Sequence, residues 1–243
     1  MKKIYIVGMG PGGADEMTTR AKKAIECCDY IIGYTSYINM IRDQFPQKQI
    51  ISTGMNGEVE RCRMALEKAL EGSTVALVSG GDSGIYGMAG LMLEIASGDG
   101  DLIPVEVIPG ITASSAAAAV LGAPLMHDFA VISLSDCLTP WEAIYRRIQC
   151  AAASDFIICF YNPRSRSRTE HIAIARDELL KYRAASTPVG IVWNAGRQGQ
   201  TSVITSLEEM LAYDINMFST VIVGNSQTYI RNGKMITPRG YRI

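Results

Sequence analysis

Short, wholly apolar runs alternate along the chain with stretches in which apolar residues return every third or fourth position. Ile4–Gly8 is such a run, and it stops at glycines, which predicts a buried strand. Thr18, Ala21, Ile25 and Cys28 then fall on one stripe of a helix. Tyr30–Gly33 reads as a second strand. Glu58–Glu71 reads as a helix with Val59, Cys62, Leu66 and Leu70 on one face. Thr74–Ser79 is the most β-prone run in the chain, Tyr86–Ala96 reads as a helix, and Val105–Ile108 as a strand. Strand and helix in this rhythm predict an α/β domain with a mostly parallel sheet.

The second half keeps the theme and changes its ending. Phe129–Ser135, Asp155–Tyr161 and Val189–Trp193 read as strands, and Trp141–Ala151 and Thr169–Lys181 as helices. Ser202–Thr205, Thr220–Gly224 and Lys234–Thr237 then read as short strands, with a hairpin turn at Asn232-Gly233. The second sheet is therefore expected to be mixed, with an antiparallel edge. Leu121-Gly122-Ala123-Pro124 breaks the helix that begins at Thr112, so the expected domains are residues 1–122 and 123–243.

Composition narrows the class of protein. The 243 residues are 48% hydrophobic and 19% charged, a globular composition that can bury a core. A formal net charge of -1 gives no reason to expect a nucleic-acid or acidic-membrane partner. No apolar run reaches the roughly 18 residues of a membrane helix, and Ile4–Val7 is too short for a signal peptide, so a cytoplasmic location is expected. The six cysteines lack C-x-x-C spacing and are expected to be reduced thiols. With two histidines, His127 and His171, no protein-built metal site is expected.

The chemistry concentrates in three loops that each follow a predicted strand. Gly8-Met9-Gly10-Pro11-Gly12-Gly13 is Gly or Pro at five of six positions and satisfies G-x-G-x-x-G. A dinucleotide site would need amides in that loop and an acid about 20 residues on for the ribose. Pro11 removes an amide, and the second strand ends in Gly33-Tyr34-Thr35 with no acid. The same glycines also suit a bare strand-to-helix turn. Ser79–Gly87 places a Gly-Gly pair before Asp82, which can accept from ribose or ammonium groups and equally serves as a helix cap. Ile108-Pro109-Gly110 opens a helix of small residues that leaves room for a flat ligand or for close packing.

In this order and spacing, V-G-M-G-P-G-G, S-G-G-D-S-G-I-Y-G and I-P-G-I-T-A-S-S resemble the tetrapyrrole methylases, S-adenosylmethionine enzymes of cobalamin and sirohaem biosynthesis. The likeness runs the whole chain. Ile132–Asp136, Phe160–Ser165, Trp193–Arg197, Val223–Ser226 and Thr237–Tyr241 are most similar to the C17-methylating branch. The resemblance implies two α/β domains with the cofactor in the cleft between them, and a homodimer. It implies that Pro11, Gly80, Gly81, Asp82, Ile85, Thr112 and Ala113 line the cofactor site from the first domain, with Asn162 and Ala195 from the second. The implied reaction is methylation of precorrin-3B or cobalt-precorrin-3 at C17 with ring contraction, leaving S-adenosylhomocysteine. Alternatives are another precorrin or uroporphyrinogen methylation within the family, and a dinucleotide-binding oxidoreductase outside it.

A tetrapyrrole at this stage is rich in carboxylates, which guanidinium groups recognise well. Arg164, Arg166 and Arg168 alternate after a predicted strand, and at least one is expected to bind substrate. Arg197 and Arg239 are weaker candidates on the same ground. Asp136, Ser135 and His127 lie near predicted strand ends and are the candidate catalytic groups.

Overall fold

The computed structural model describes residues 2–98 and 102–242. The chain divides into two compact units, Met1–Ala113 and Ser114–Ile243.

The first unit carries β1 (Lys3–Gly8), α1 (Thr19–Glu26), β2 (Tyr30–Tyr34), α2 (Thr35–Ile41), β3 (Gln49–Thr53), α3 (Glu58–Leu70), β4 (Thr74–Ser79), α4 (Ala89–Ser97) and β5 (Val105–Ile108). Its five strands form one parallel sheet in the order β3-β2-β4-β1-β5. Alternation along the buried strands sorts the two faces. Ile4, Ile6, Ile32, Val75 and Leu77 pack with α3 and α4 through Cys62, Leu66 and Met92. Val7, Ile31, Ala76 and Val78 pack with α1 and α2 through Ile25, Ile38 and Ile41. A fully buried Ile contributes about 1.5–3 kcal/mol in transfer terms, so a sheet covered on both faces is the main stabilising element here.

Two sequence expectations shift. In α3 the buried stripe is Arg61, Cys62, Ala65, Leu66 and Ala69, while Val59 and Leu70 are exposed. Alanines let the helix lie close to the sheet, which turns the longer side chains outward. The helix expected from Tyr86 begins at Ala89, because Tyr86 itself has φ +52°, outside helical space. The segments α2 and β3 had no sequence expectation.

The second unit begins one residue into α5 (Ala113–Leu121) and holds β6 (Gly122–Ala123), β7 (Phe129–Ser133), α6 (Trp141–Ala153), β8 (Ile157–Tyr161), α7 (His171–Leu179), β9 (Pro188–Trp193), β10 (Thr201–Ser206), β11 (Ser219–Val223), β12 (Tyr229–Arg231) and β13 (Lys234–Ile236). The main sheet, β10-β9-β11-β8-β7, is parallel only between β7 and β8. Helices α6 and α7 cover one face through Ile144, Ile148, Ile172 and Leu179. Helix α5 and Met235 cover the other. Here the division differs from the joint expected at 122/123. Leu121 packs so tightly that a Cβ at Gly190 of β9 would lie 2.2 Å from its Cδ1, which places α5 with the second unit. The hairpin β12–β13 turns on Asn232 (φ +51°) and Gly233 (φ +68°), the left-handed pair that a tight hairpin requires.

Candidate functional site

In the first unit the three glycine loops leave the same end of three adjacent strands, β4, β1 and β5. They pack directly on one another. A Cβ at Gly8 would lie 2.7 Å from Gly110 N and 2.8 Å from Gly81 O, and one at Gly110 would lie 2.2 Å from Gly81 O. Gly10 and Gly81 exchange backbone hydrogen bonds, Gly10 N to Gly81 O at 3.1 Å and Gly81 N to Gly10 O at 2.7 Å. Buried beneath them, the Ser83 hydroxyl sits between Ile6 O at 3.3 Å and Ile108 O at 3.2 Å. Glycine is thus required chiefly for the approach of one loop to the next.

That arrangement removes the phosphate cradle of a dinucleotide site. Met9 N donates to Ser79 O at 3.0 Å, Gly10 N is taken by Gly81 O, and Pro11 has no N–H. The loop that satisfies the fingerprint has its first amides turned to protein.

Of the residues expected to hold a cofactor, Pro11 is buried, and Gly80 packs under the Tyr37 ring, 2.7 Å from where a Cβ would stand. Gly81 differs from its neighbours. It has φ +66°, and a Cβ there would meet nothing nearer than 3.8 Å, with Ile111 O, Thr112 Cα and Ala113 N around it. A methyl group on Gly81 would make ordinary van der Waals contact there, with the backbone of two further expected residues among its neighbours. Asp82 is held by two amides, Gly84 N to Oδ1 at 2.8 Å and Gly110 N to Oδ2 at 3.0 Å, and each oxygen keeps a lone pair. Ile85 presents an apolar surface at 38% exposure beside Tyr86 at 60%. An oriented carboxylate, bare glycine backbone and exposed apolar side chains suit a ligand that joins hydroxyl or ammonium groups to a flat apolar part.

The second unit gathers a different set at the ends of β7 and β8. Asn162 adopts φ +49°, which asparagine tolerates, and its Nδ2 donates to Ser133 Oγ at 2.9 Å. Ala195 follows β9 and is buried. Arg168 is 8% exposed; its Nη2 donates to Asn162 O at 2.8 Å and its Nη1 to Ser135 Oγ at 3.5 Å. It also pairs with Asp136 at 3.8 Å. Arg164 and Arg166 are exposed on the same loop. The three arginines thus differ: one organises the loop and two face outward.

Asp136 and Ser135 lie in this cluster. His127 does not. It precedes β7, at the other end of that strand, and its ion-pair neighbour is the adjacent Asp128 at 3.8 Å. The histidine that the cluster does contain is His171, which sequence reading did not single out. Its Nδ1 donates to Leu134 O at 3.0 Å, its Nε2 faces Asp136 Oδ2 at 3.7 Å, and its ring stacks on Trp141 with centroids 3.9 Å apart. One cue was present: His171 follows the Arg168 loop and opens a helix, so it returns to the strand end that carries Asp136.

A sequence profile described as tetrapyrrole (corrin/porphyrin) methylases matches residues 3–211. The chain is 50% identical over 240 residues to a Salmonella typhimurium protein named probable cobalt-factor III C(17)-methyltransferase, covering 99% of this chain and all of that one. The cobalt-factor III methyltransferase of Priestia megaterium is 49% identical over 99% of this chain, which spans 45% of that longer protein. The precorrin-3B C(17)-methyltransferase of a Sinorhizobium species is 38% identical, with 98% of this chain and 96% of that protein covered. The crystal structure of the methyltransferase CobJ matches with a TM-score of 0.92 and 32% identity over 98% of this chain and 100% of that one. The fold is also that of a uroporphyrin-III C-methyltransferase from Thermus thermophilus solved with S-adenosylhomocysteine (TM-score 0.72, 23% identity, 91% of this chain and 97% of that one). The chain therefore belongs to the tetrapyrrole methylases, in the C17-methyltransferase branch of that family.

Proposed function

We propose that the protein transfers a methyl group from S-adenosylmethionine to C17 of a cobalt-factor III or precorrin-3B type of macrocycle, with ring contraction, in cobalamin biosynthesis. The observation that carries this reading is 50% identity along the full length of a relative named for that reaction. The first unit supports the cofactor assignment. Gly81 offers bare backbone beside Thr112 and Ala113, and the Asp82 carboxylate, fixed by two amides, can also accept from hydroxyl or ammonium groups.

When bound, S-adenosylmethionine supplies an electrophilic methyl group. In this reading Asp82 holds the polar part of the cofactor, Ile85 covers its apolar part, and Pro11, Gly80, Gly81, Thr112 and Ala113 shape the shelf. Asn162 and Ala195 are cofactor contacts on family resemblance. Arg164 and Arg166, exposed on the loop that Arg168 braces, take substrate carboxylates by charge-assisted hydrogen bonds. Holding the macrocycle in line with the methyl group contributes up to about 7–11 kcal/mol to the barrier reduction. The protein works as a cytoplasmic homodimer without nucleic-acid or membrane partners. Among the described residues no helix is long and apolar enough to cross a membrane.

Calorimetric titration with S-adenosylhomocysteine and, separately, NADH tests the cofactor assignment. Binding of the first alone is the expected result, and binding of NADH alone would overturn the reading. Turnover with metal-free and cobalt-loaded macrocycles then identifies the substrate.

A further inference from the structure

We infer that His171, backed by Asp136, is the proton acceptor of the reaction; the inference rests on the function proposed above. An uncharged carbon nucleophile that gains a methyl cation returns to neutrality by losing one proton. A base for that step needs a lone pair that no hydrogen bond within the protein occupies.

The surroundings of His171 set that state. Leu134 O can only accept, so Nδ1 carries the ring hydrogen and Nε2 keeps its lone pair in the neutral ring. His171 is the first residue of the nine-residue α7. The Trp141 ring, tilted 16° from the imidazole plane, holds its orientation. Nε2 stands 3.7 Å from Asp136 Oδ2, too far for a hydrogen bond and near enough to stabilise an imidazolium once it forms. Asp136 faces the ring, Arg168 Nη1 lies 3.8 Å from the other Asp136 oxygen, and Glu170 precedes His171 in the chain. Asp136 is 43% exposed, and with Ser167, Arg168, Thr169, Glu170 and His171 it lines a pocket of about 270 Å³.

In the step, a C–H or O–H bond of the methylated macrocycle breaks and its electron pair stays on the macrocycle. The proton goes to His171 Nε2, the imidazolium pairs with Asp136, and the proton leaves to water through that exposed carboxylate.

Three measurements test this. Ring ¹⁵N spectra of the resting protein should show His171 as the Nδ1–H tautomer. His171→Gln should lower kcat roughly 100-fold to 10,000-fold, remove the acid limb of the kcat–pH profile, and leave S-adenosylhomocysteine affinity unchanged. Asp136→Asn should also lower kcat with S-adenosylhomocysteine affinity unchanged, and it keeps the test open where His171→Gln is unstable. Wild-type kcat and an unaltered acid limb in His171→Gln, or an Nε2–H resting tautomer, would overturn the inference alone. A wild-type protein that binds no S-adenosylhomocysteine would overturn the functional reading and the inference with it.

Discussion

The amide of Gly110 donates to Asp82 Oδ2 at 3.0 Å, so a side chain of the second glycine loop fixes the backbone of the third. The other oxygen accepts from Gly84 N at 2.8 Å. Asp82→Asn replaces one acceptor with an NH2 group that must face an amide. The variant should lose about 1–3 kcal/mol of stability and bind S-adenosylhomocysteine at least about tenfold more weakly, or about 1.4 kcal/mol. Thermal melts and calorimetry read the two losses separately, and unchanged affinity would remove Asp82 from the cofactor site.

Two glycine substitutions should separate packing from binding. A methyl group at Gly110 enters Gly81 O at 2.2 Å and Gly8 O at 2.5 Å, so the loops must move apart. Gly110→Ala should cost about 1–3 kcal/mol from overpacking and abolish cofactor binding. Gly81→Ala would make only ordinary contact, with Ile111 O, Thr112 Cα and Ala113 N at 3.8 Å, and its cost is that of φ +66°, about 1–2 kcal/mol. Its main expected effect is on affinity, because the methyl group covers the bare backbone proposed to meet the cofactor.

The arginines should divide likewise. Arg168→Ala removes a buried group bonded to Asn162 O and Ser135 Oγ, and a stability loss of about 1.5–3 kcal/mol is expected. Arg164→Ala and Arg166→Ala should leave melting within about 0.5 kcal/mol of wild type while weakening macrocycle binding. Tight binding in both variants would exclude the loop as the carboxylate site.

Acid sensitivity should arise in part at Glu178. This buried carboxylate accepts from Lys181 Nζ at 2.6 Å, from Tyr145 Oη and from Gln149 Nε2 at 3.2 Å. The Lys181 hydrogen bond, then that of Tyr145, holds its pKa below the ordinary value. A depressed carboxylate stabilises the fold above its unfolded pKa, about 4.3, and that contribution disappears as pH falls through the folded value. The stability gap between wild type and Glu178→Gln should therefore be constant from about pH 6 to 8 and close progressively below about 4.3. A gap that persists at low pH would contradict the assignment.

The parallel sheet was legible because a strand covered on both faces is apolar throughout, as in Ile4–Gly8 and Thr74–Ser79. The turn at Asn232-Gly233 and the arm after it were legible, since that pair favours a tight hairpin, but the arm before it, Tyr229–Arg231, had no sequence expectation. Thr35–Ile41 had no sequence expectation, since its Thr-Ser-Tyr start resembles a loop and its burial rests on Ile38 and Ile41 alone. Tyr86 was read as helical because its left-handed backbone leaves no trace in residue type. Glycine loops could be placed at strand ends, but not their mutual wedging, which depends on the order β4-β1-β5. The same holds for His171: its partners are Leu134, 37 positions away, and Asp136 and Trp141, 35 and 30 positions away, all brought to it by the pairing of β7 with β8.

The wedging of Gly8, Gly81 and Gly110 makes the three loops a single mechanical unit. A one-residue insertion in any of them should shift the backbone of the other two, so loop length is a poor variable for redesign. Freedom to diversify remains at the side chains that point outward from the knot, Ile85 and Tyr86 among them. A directed-evolution library meant to retune ligand preference should randomise those two positions and leave every glycine of the knot untouched.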